Sequence, residues 1–354
     1  VFLADGRLVE SARFPLAAVE PPHGRPAPAG RDPAGEGLHL VRRRYWASLF
    51  PRRTILAEAG SHIRLRVHNR LGQPHRFTID GVVDTGPIPP GQTATAAFPA
   101  PAPGTYVYHD PGNPPVERVL GLHGVLVVAP ADPWRLTAGG PEFERQWLWI
   151  CHDIDPEWGR LARMGVRVDP DRVPCLPRYF TLNDRSGIFS IGVSTDEAVN
   201  EATHRDTLPA GSARRTDVRD FSLAGTRSTV VTGQLLRLVN TGVAIHQMHF
   251  HGNHVWTLAR DGLALSRRAA VVDAEGDVQL QQWEDVVPLG PMRRLEVMLP
   301  LKPPPDALEE VRAAQDCDWH YPMHCHAEMS QTAGGGLYPG GLVADWILAA
   351  PLRP

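Results

Sequence analysis

The chain has 354 residues, 42% of them hydrophobic and 21% charged, and its formal net charge is −3. That length suits two ordinary domains, each able to bury its own core, and the profile is that of a globular protein. A charge so near zero, with no basic patch carrying interleaved aromatics, excludes an electrostatic case for a nucleic-acid partner, and no apolar run approaches the ~18 residues of a membrane-spanning helix.

The 33 glycines and 35 prolines punctuate short apolar runs, which predicts an all-β fold with few helices. The first clear strand is HIRLRVHN, where Ile63, Leu65 and Val67 alternate with Arg64, Arg66 and His68. HRFTIDG follows from His75, then GTYVYHDP with His109 and Asp110, and the apolar run GVLVVAP closes this unit near Pro130. The turn-rich segment PADPWRLTAGGP then separates a domain at residues 1–132 from one at 142–354, the second with the longer lead-in.

The second domain repeats the first. LLRLVN, like the strand before Asn69, follows a glycine and ends in an asparagine, Asn240, with a histidine six residues on: His75 in one unit and His246 in the other. HRFTIDG therefore lies on HQMHFHG, placing Thr78 on His249, Asp80 on His251 and Gly81 on Gly252. GTYVYHDP lies on WHYPMHCH, placing His109 on His324, Asp110 on Cys325 and Pro111 on His326. Two β-sandwich domains from one ancestor are expected.

Strand parity sorts the histidines. Residues two apart share a face, so His249 and His251 point together, as do His324 and His326, while Cys325 points to the other side, where His246 can meet it. Two His-x-His pairs in matching halves point to a metal centre, whereas His254 and His320 do not share that face, and His123 reads as structural. Four cysteines, Cys151, Cys175, Cys317 and Cys325, are too few for a disulfide framework, although one bridge that leaves Cys325 free stays open.

HQMHFHG together with MHCH resembles the last cupredoxin domain of the multicopper oxidases, the family of laccases and their relatives, and QPHRFTIDG, GTYVYHD and RVLGLHGVLVVAP resemble its first domain. The resemblance implies two cupredoxin-like Greek-key β-sandwich domains. It places His246 and Cys325 in the family's mononuclear blue-copper centre, and His249, His251, His324 and His326 in the cluster that reduces dioxygen. Ser330 stands where the second blue-copper histidine belongs and Gly335 at the usual axial position, and of the first domain's cluster ligands only His109 remains, beside Thr78, Asp80 and Pro111. A reduced set of one or two copper ions between the domains is therefore expected, with His109 as a further ligand. Asp80, able to bind through oxygen, is the candidate general base.

The implied function is a copper-dependent oxidase acting on a small aromatic or phenolic molecule with dioxygen, at a metal that substrate approaches directly. A copper nitrite-reductase-like enzyme and a non-catalytic copper-binding protein are the alternatives. Because a short linker separates the two units, the ligand-bearing faces are expected to meet between neighbouring chains of a homo-oligomer, with a trimer the natural closure. Copper enzymes of this fold are often exported, so an extracytoplasmic address is expected, although no signal-like segment opens the chain at Val1.

Overall fold

The computed structural model describes residues 54–130, 145–183, 234–252, 254–265, 281–299, 319–334 and 340–348, with short pieces at 2–4, 7–9, 135–136, 143, 186–187, 221–222, 226–228, 271–272, 278–279, 336 and 338. Gly335, Cys317 and nearly all of the turn-rich segment after Pro130 lie outside them.

The strand read from HIRLRVHN is present as His62–His68, with Ile63 and Leu65 buried and the intervening residues exposed. It pairs antiparallel with Thr93–Pro99, and the short strands Phe2–Ala4 and Arg7–Val9 extend this sheet. A second sheet, ordered Ile55–Glu58, His123–Ala129, Gly104–His109, Thr78–Ile79 and Val83–Asp84, faces it. Ile55, Ile63, Leu65, Phe98, Leu126 and Val128 fill the space between the two. The first sheet of this sandwich has the alternating pattern expected where one face is buried and one is wet.

The C-terminal sandwich is larger. One sheet runs Tyr179–Leu182, Arg145–Ile154, Gln234–Asn240, Arg294–Leu299, Val255–Arg260 and Leu263–Ala264. The other runs Thr226–Ser228, Val343–Leu348, Trp319–Cys325, His246–Phe250 and Val286–Leu289. Trp147, Trp149, Leu236 and Leu238 from the first meet Met248, Phe250, Met323 and Cys325 from the second.

The two sandwiches pack through faces that water would cover in an isolated sheet. Every residue of His123–Ala129 is buried: Leu126 and Val128 point into the N-terminal core, whereas Val125 and Val127 meet Leu148, Ile150 and Val239 of the larger sandwich. The layers therefore stack in the order first sheet, second sheet, the Trp147-bearing sheet, and last the histidine-bearing sheet. Around this contact Val116 and Val119 of the short helix Val116–Val119 pack on Trp158 and Val168. Arg118 Nη1 of the same helix donates to the carbonyls of Thr241 and Gly242, the second at 2.6 Å. Of the cysteines, Cys151, Cys175 and Cys325 are all free.

His152 is the titratable centre of this contact. Its Nε2 donates to the Val119 carbonyl across the interface at 3.0 Å, its Nδ1 lies 2.9 Å from the Thr241 hydroxyl, and its ring lies 4.3 Å from that of buried His123. Burial pushes its pKa down to about 4. The unfolded chain, with an ordinary pKa near ~6.5, therefore binds the proton first, so this stabilisation is complete above that pH and is lost as pH falls towards the folded value. Metal-free protein is expected to lose about 2 kcal/mol between pH 7 and 5 from this group alone. Urea unfolding across that range, wild type against His152→Gln, measures it: the difference between the two pH profiles should carry this slope, and parallel profiles would refute it.

Candidate metal centre

The strands His246–Phe250 and Trp319–Cys325 run antiparallel, with Met248 opposite Cys325, His249 opposite His324 and Phe250 opposite Met323. Met248, Phe250, Met323 and Cys325 are fully buried, so the apolar parity of both strands faces the core and the histidine parity faces outward. His326, just past the strand end, is held by its backbone N–H donating to Gln247 at 2.8 Å.

On that outer face the imidazoles converge. His249 lies 4.5 Å from His251 and 4.6 Å from His326, centroid to centroid, and His251 lies 5.1 Å from His324. His249, His324 and His326 can each offer one ligand atom with all three atoms within 4.8 Å of one another. Two tautomers are set by the backbone, because a carbonyl only accepts: His249 Nδ1 donates to Asp285 O and His324 Nδ1 donates to Cys325 O, each at 3.1 Å. Both rings are thereby left with Nε2 as the acceptor nitrogen, the arrangement that outer-shell hydrogen bonds give a ligating histidine. The Nε2 atoms of His251 and His324 are 2.9 Å apart. His251 Nε2–H donates there to His324, so His251 would ligate through Nε2 only in its Nδ1–H tautomer, its ring proton moving from Nε2 to Nδ1. Burial, reinforced by the neighbouring imidazoles, lowers the pKa of His251; burial also leads the lowering at His324. Neutral nitrogen donors at this density suit a borderline transition metal such as copper or zinc.

Behind the strands lies a different arrangement. His246 Nδ1 is 3.6 Å from Cys325 Sγ, and its Nε2 is 3.0 Å from Asp153 Oδ1. Asp153 Oδ2 accepts from the backbone N–H groups of Val243 and Ala244, each at 2.6 Å, and a Cβ at Gly242 would collide with this carboxylate. Burial is the largest influence on His246 and pushes it down, yet its hydrogen bonds to Asp153 and Cys325 carry the net value up to about 9. Burial likewise pushes Cys325 and Asp153 up, and in both cases the bonded His246 outweighs it and holds the group below its ordinary value. A thiol held below its ordinary pKa, an imidazole held above its own and a carboxylate thus form a buried line of three. Among the described residues the line has no second imidazole: Ser330 is buried beside Cys325, its hydroxyl donating to Ala327 O at 2.9 Å, and Met329 is half-exposed. Sequence reasoning missed Asp153. Its signal was parity, since an aspartate shares a strand face with Trp147, Trp149 and Cys151, and a buried carboxylate needs partners.

The N-terminal sandwich repeats this geometry at both places. Thr78 pairs across strands with His109 as His249 pairs with His324. Asp80 Oδ1 meets His109 Nε2 at 3.1 Å where His251 meets His324. His75 Nδ1 donates to Asp110 Oδ2 at 2.7 Å where His246 faces Cys325. Asp80 is exposed and His109 is largely covered. Among the described residues, neither has a hydrogen bond, ion pair or ring contact with the four clustered histidines. The layer order explains why: His109 shares strand parity with Val107, which faces the Trp147-bearing sheet, whereas the four imidazoles lie beyond the sheet after that, about 10 Å further through the stack.

Residues 46–133 match the family model described as multicopper oxidase. Among curated proteins the sequence finds no match. Similar solved structures include the blue copper oxidase from Nitrosomonas europaea, at 20% identity and TM-score 0.57, with 83% of this chain and 75% of that one covered. The copper nitrite reductase from the same organism is similar at 13% identity and TM-score 0.52, covering 86% and 85%. The laccase from Botrytis aclada is similar at 16% identity and TM-score 0.51, covering 85% and 48%. At such identities the likeness is one of fold. Residues 46–133 thus carry the sequence signature of a multicopper oxidase domain, the chain shares its fold with cupredoxin-built copper oxidases and nitrite reductases, and copper is the metal that the matched family binds.

Proposed function

We propose that the chain is a copper-dependent oxidase that uses dioxygen to oxidise a small phenolic or other aromatic molecule at a centre held by His249, His251, His324 and His326. The observation that carries this reading is the convergence of these rings on one face, with the Nδ1 atoms of His249 and His324 turned away onto carbonyls. Copper bound there would supply redox chemistry and Lewis acidity. The chain's own contribution is to lower the pKa of His251 and His324, fix the tautomers of His249 and His324, and present the rings at the protein surface, where substrate approaches directly.

In this reading His246 and Cys325 are a remnant of the blue site. Held by Asp153 and lacking a second imidazole, they leave no complete thiolate relay for electrons from a distant substrate. One or two copper ions per centre fit the donors better than a four-copper set. His109 and Asp80 complete the centre from a neighbouring chain, since within one chain two sheets intervene. His109 adds an imidazole, and Asp80, exposed and hydrogen-bonded to it, is placed to take the proton of a phenol. Repetition of this head-to-tail contact closes a ring, for which a trimer with three shared centres is the simplest form. The nitrite-reductase alternative is the weaker one, because Asp110 stands where the N-terminal domain would need a thiolate electron donor.

Three outcomes test the reading. Replacing His249 and His251 together by alanine should abolish stoichiometric copper and oxygen uptake with phenols while leaving the β circular dichroism unchanged; full copper in that variant refutes the ligand assignment. The copper-loaded protein should show no intense blue thiolate-to-copper band, and a strong band bleached by Cys325→Ser would show a completed blue centre. Light scattering should find a trimer whose copper is lost on dissociation; a monomer that keeps full copper and activity at high dilution would eliminate the shared centre.

A further inference from the structure

The internal repeat places a second constellation in the N-terminal sandwich, where His75 and Asp110 occupy the positions of His246 and Cys325. A third group joins them there. Glu117 Oε2 lies 3.8 Å from His75 Nδ1, which is itself 2.7 Å from Asp110 Oδ2, and the three ligand atoms lie within 4.8 Å of one another. We infer that His75, Asp110 and Glu117 bind a divalent cation of the zinc class, in a site separate from the histidine centre and without sulfur.

Donor chemistry and support both favour it. One imidazole and two carboxylates are a ligand set that zinc takes at about 2.0–2.2 Å, which in a tetrahedron sets donors about 3.3–3.6 Å apart. The 2.7 Å and 3.8 Å separations from His75 Nδ1 bracket that value, and zinc would replace the proton that Nδ1 now donates to Asp110, releasing it to solvent. The Glu117 side chain is 23% exposed, so a small rotation brings its oxygen into reach of Asp110 as well. Asp110 is held for the purpose: its side chain is 1% exposed, and its Oδ1 accepts from Gly112 N–H at 2.8 Å, which leaves Oδ2 turned to the shared point. A Cβ at Gly112 would press on that oxygen at 3.0 Å, so the turn keeps a glycine. Replacement of thiol by carboxylate at this repeat position exchanges a soft donor for a hard one. Two carboxylates close together and partly out of water call for positive charge, which a divalent cation supplies. Arg167 acts on Glu117 only at a distance and forms no ion pair with it among the described residues.

The site would also fasten the domain contact. Glu117 and Arg118 are neighbours on the helix Val116–Val119, and the Arg118 guanidinium donates to the Gly242 carbonyl of the other sandwich. An ion tying Glu117 to the strand end at Asp110 would hold this helix at the seam, so zinc should raise the unfolding midpoint of the whole chain.

Zinc titration by calorimetry of the full chain carrying His249→Ala and His251→Ala tests this apart from the histidine centre. One equivalent of zinc should bind, with affinity reduced at least tenfold by either Glu117→Gln or Asp110→Asn at unchanged circular dichroism. The wild-type chain, where no fold is at risk, should show two classes of zinc site, of which only one is lost in Glu117→Gln. Absence of zinc binding by the folded double variant, or an affinity untouched by both carboxamide substitutions, would overturn the site and leave a His75–Asp110 hydrogen bond alone.

Discussion

One cross-strand register, His249 opposite His324, governs both the histidine face and the Cys325 face of the C-terminal sandwich. Because side chains alternate along each strand, this pairing fixes Met248, Phe250, Met323 and Cys325 in the core and sends the histidines outward as a block. A slip of one residue would put imidazoles into the core and methionine, phenylalanine and cysteine into water. The apolar residues therefore hold the centre in place without touching it, as a site built on rigid elements requires.

The same alternation separates two kinds of electrostatics by the thickness of one sheet. Outside, imidazoles crowd one another and partial burial keeps His251 and His324 neutral, which is what ligation needs. Inside, burial pushes His246 down, but its hydrogen bonds to Asp153 and Cys325 carry its pKa up to about 9. Asp153 is the decisive member, since two backbone N–H groups and the His246 ring bind its oxygens. An imidazole clamped in this way is presented to Cys325 as a partner for a thiolate, with no second imidazole at Ser330 to help enclose a metal.

Much of this was legible in the sequence. The repeat alignment anticipated atomic pairings: Thr78 with His109 as His249 with His324, and His75 with Asp110 as His246 with Cys325. Periodicity of two and identical spacing suffice for that, because both domains close their strands in the same register. The partners that complete each site were not read. Asp153 and Glu117 come from other elements, and the Asp285 carbonyl that orients His249 carries no side-chain signal at all. The stacking of the two sandwiches was also unread, although GVLVVA, apolar at every position, is the mark of a strand covered on both faces. The free state of Cys151 and Cys175 follows from packing: Cys151 sits in the core among Trp149, Leu238 and Cys325.

In the proposed centre the metal is held by imidazole nitrogen, while the Cys325 thiol is engaged by His246. X-ray absorption at the copper edge of the loaded protein tests this most directly. The account predicts a first shell of nitrogen and oxygen with imidazole multiple scattering and no sulfur. A short copper–sulfur distance in that shell would contradict it, since Cys325 is the thiol placed beside the cluster strands.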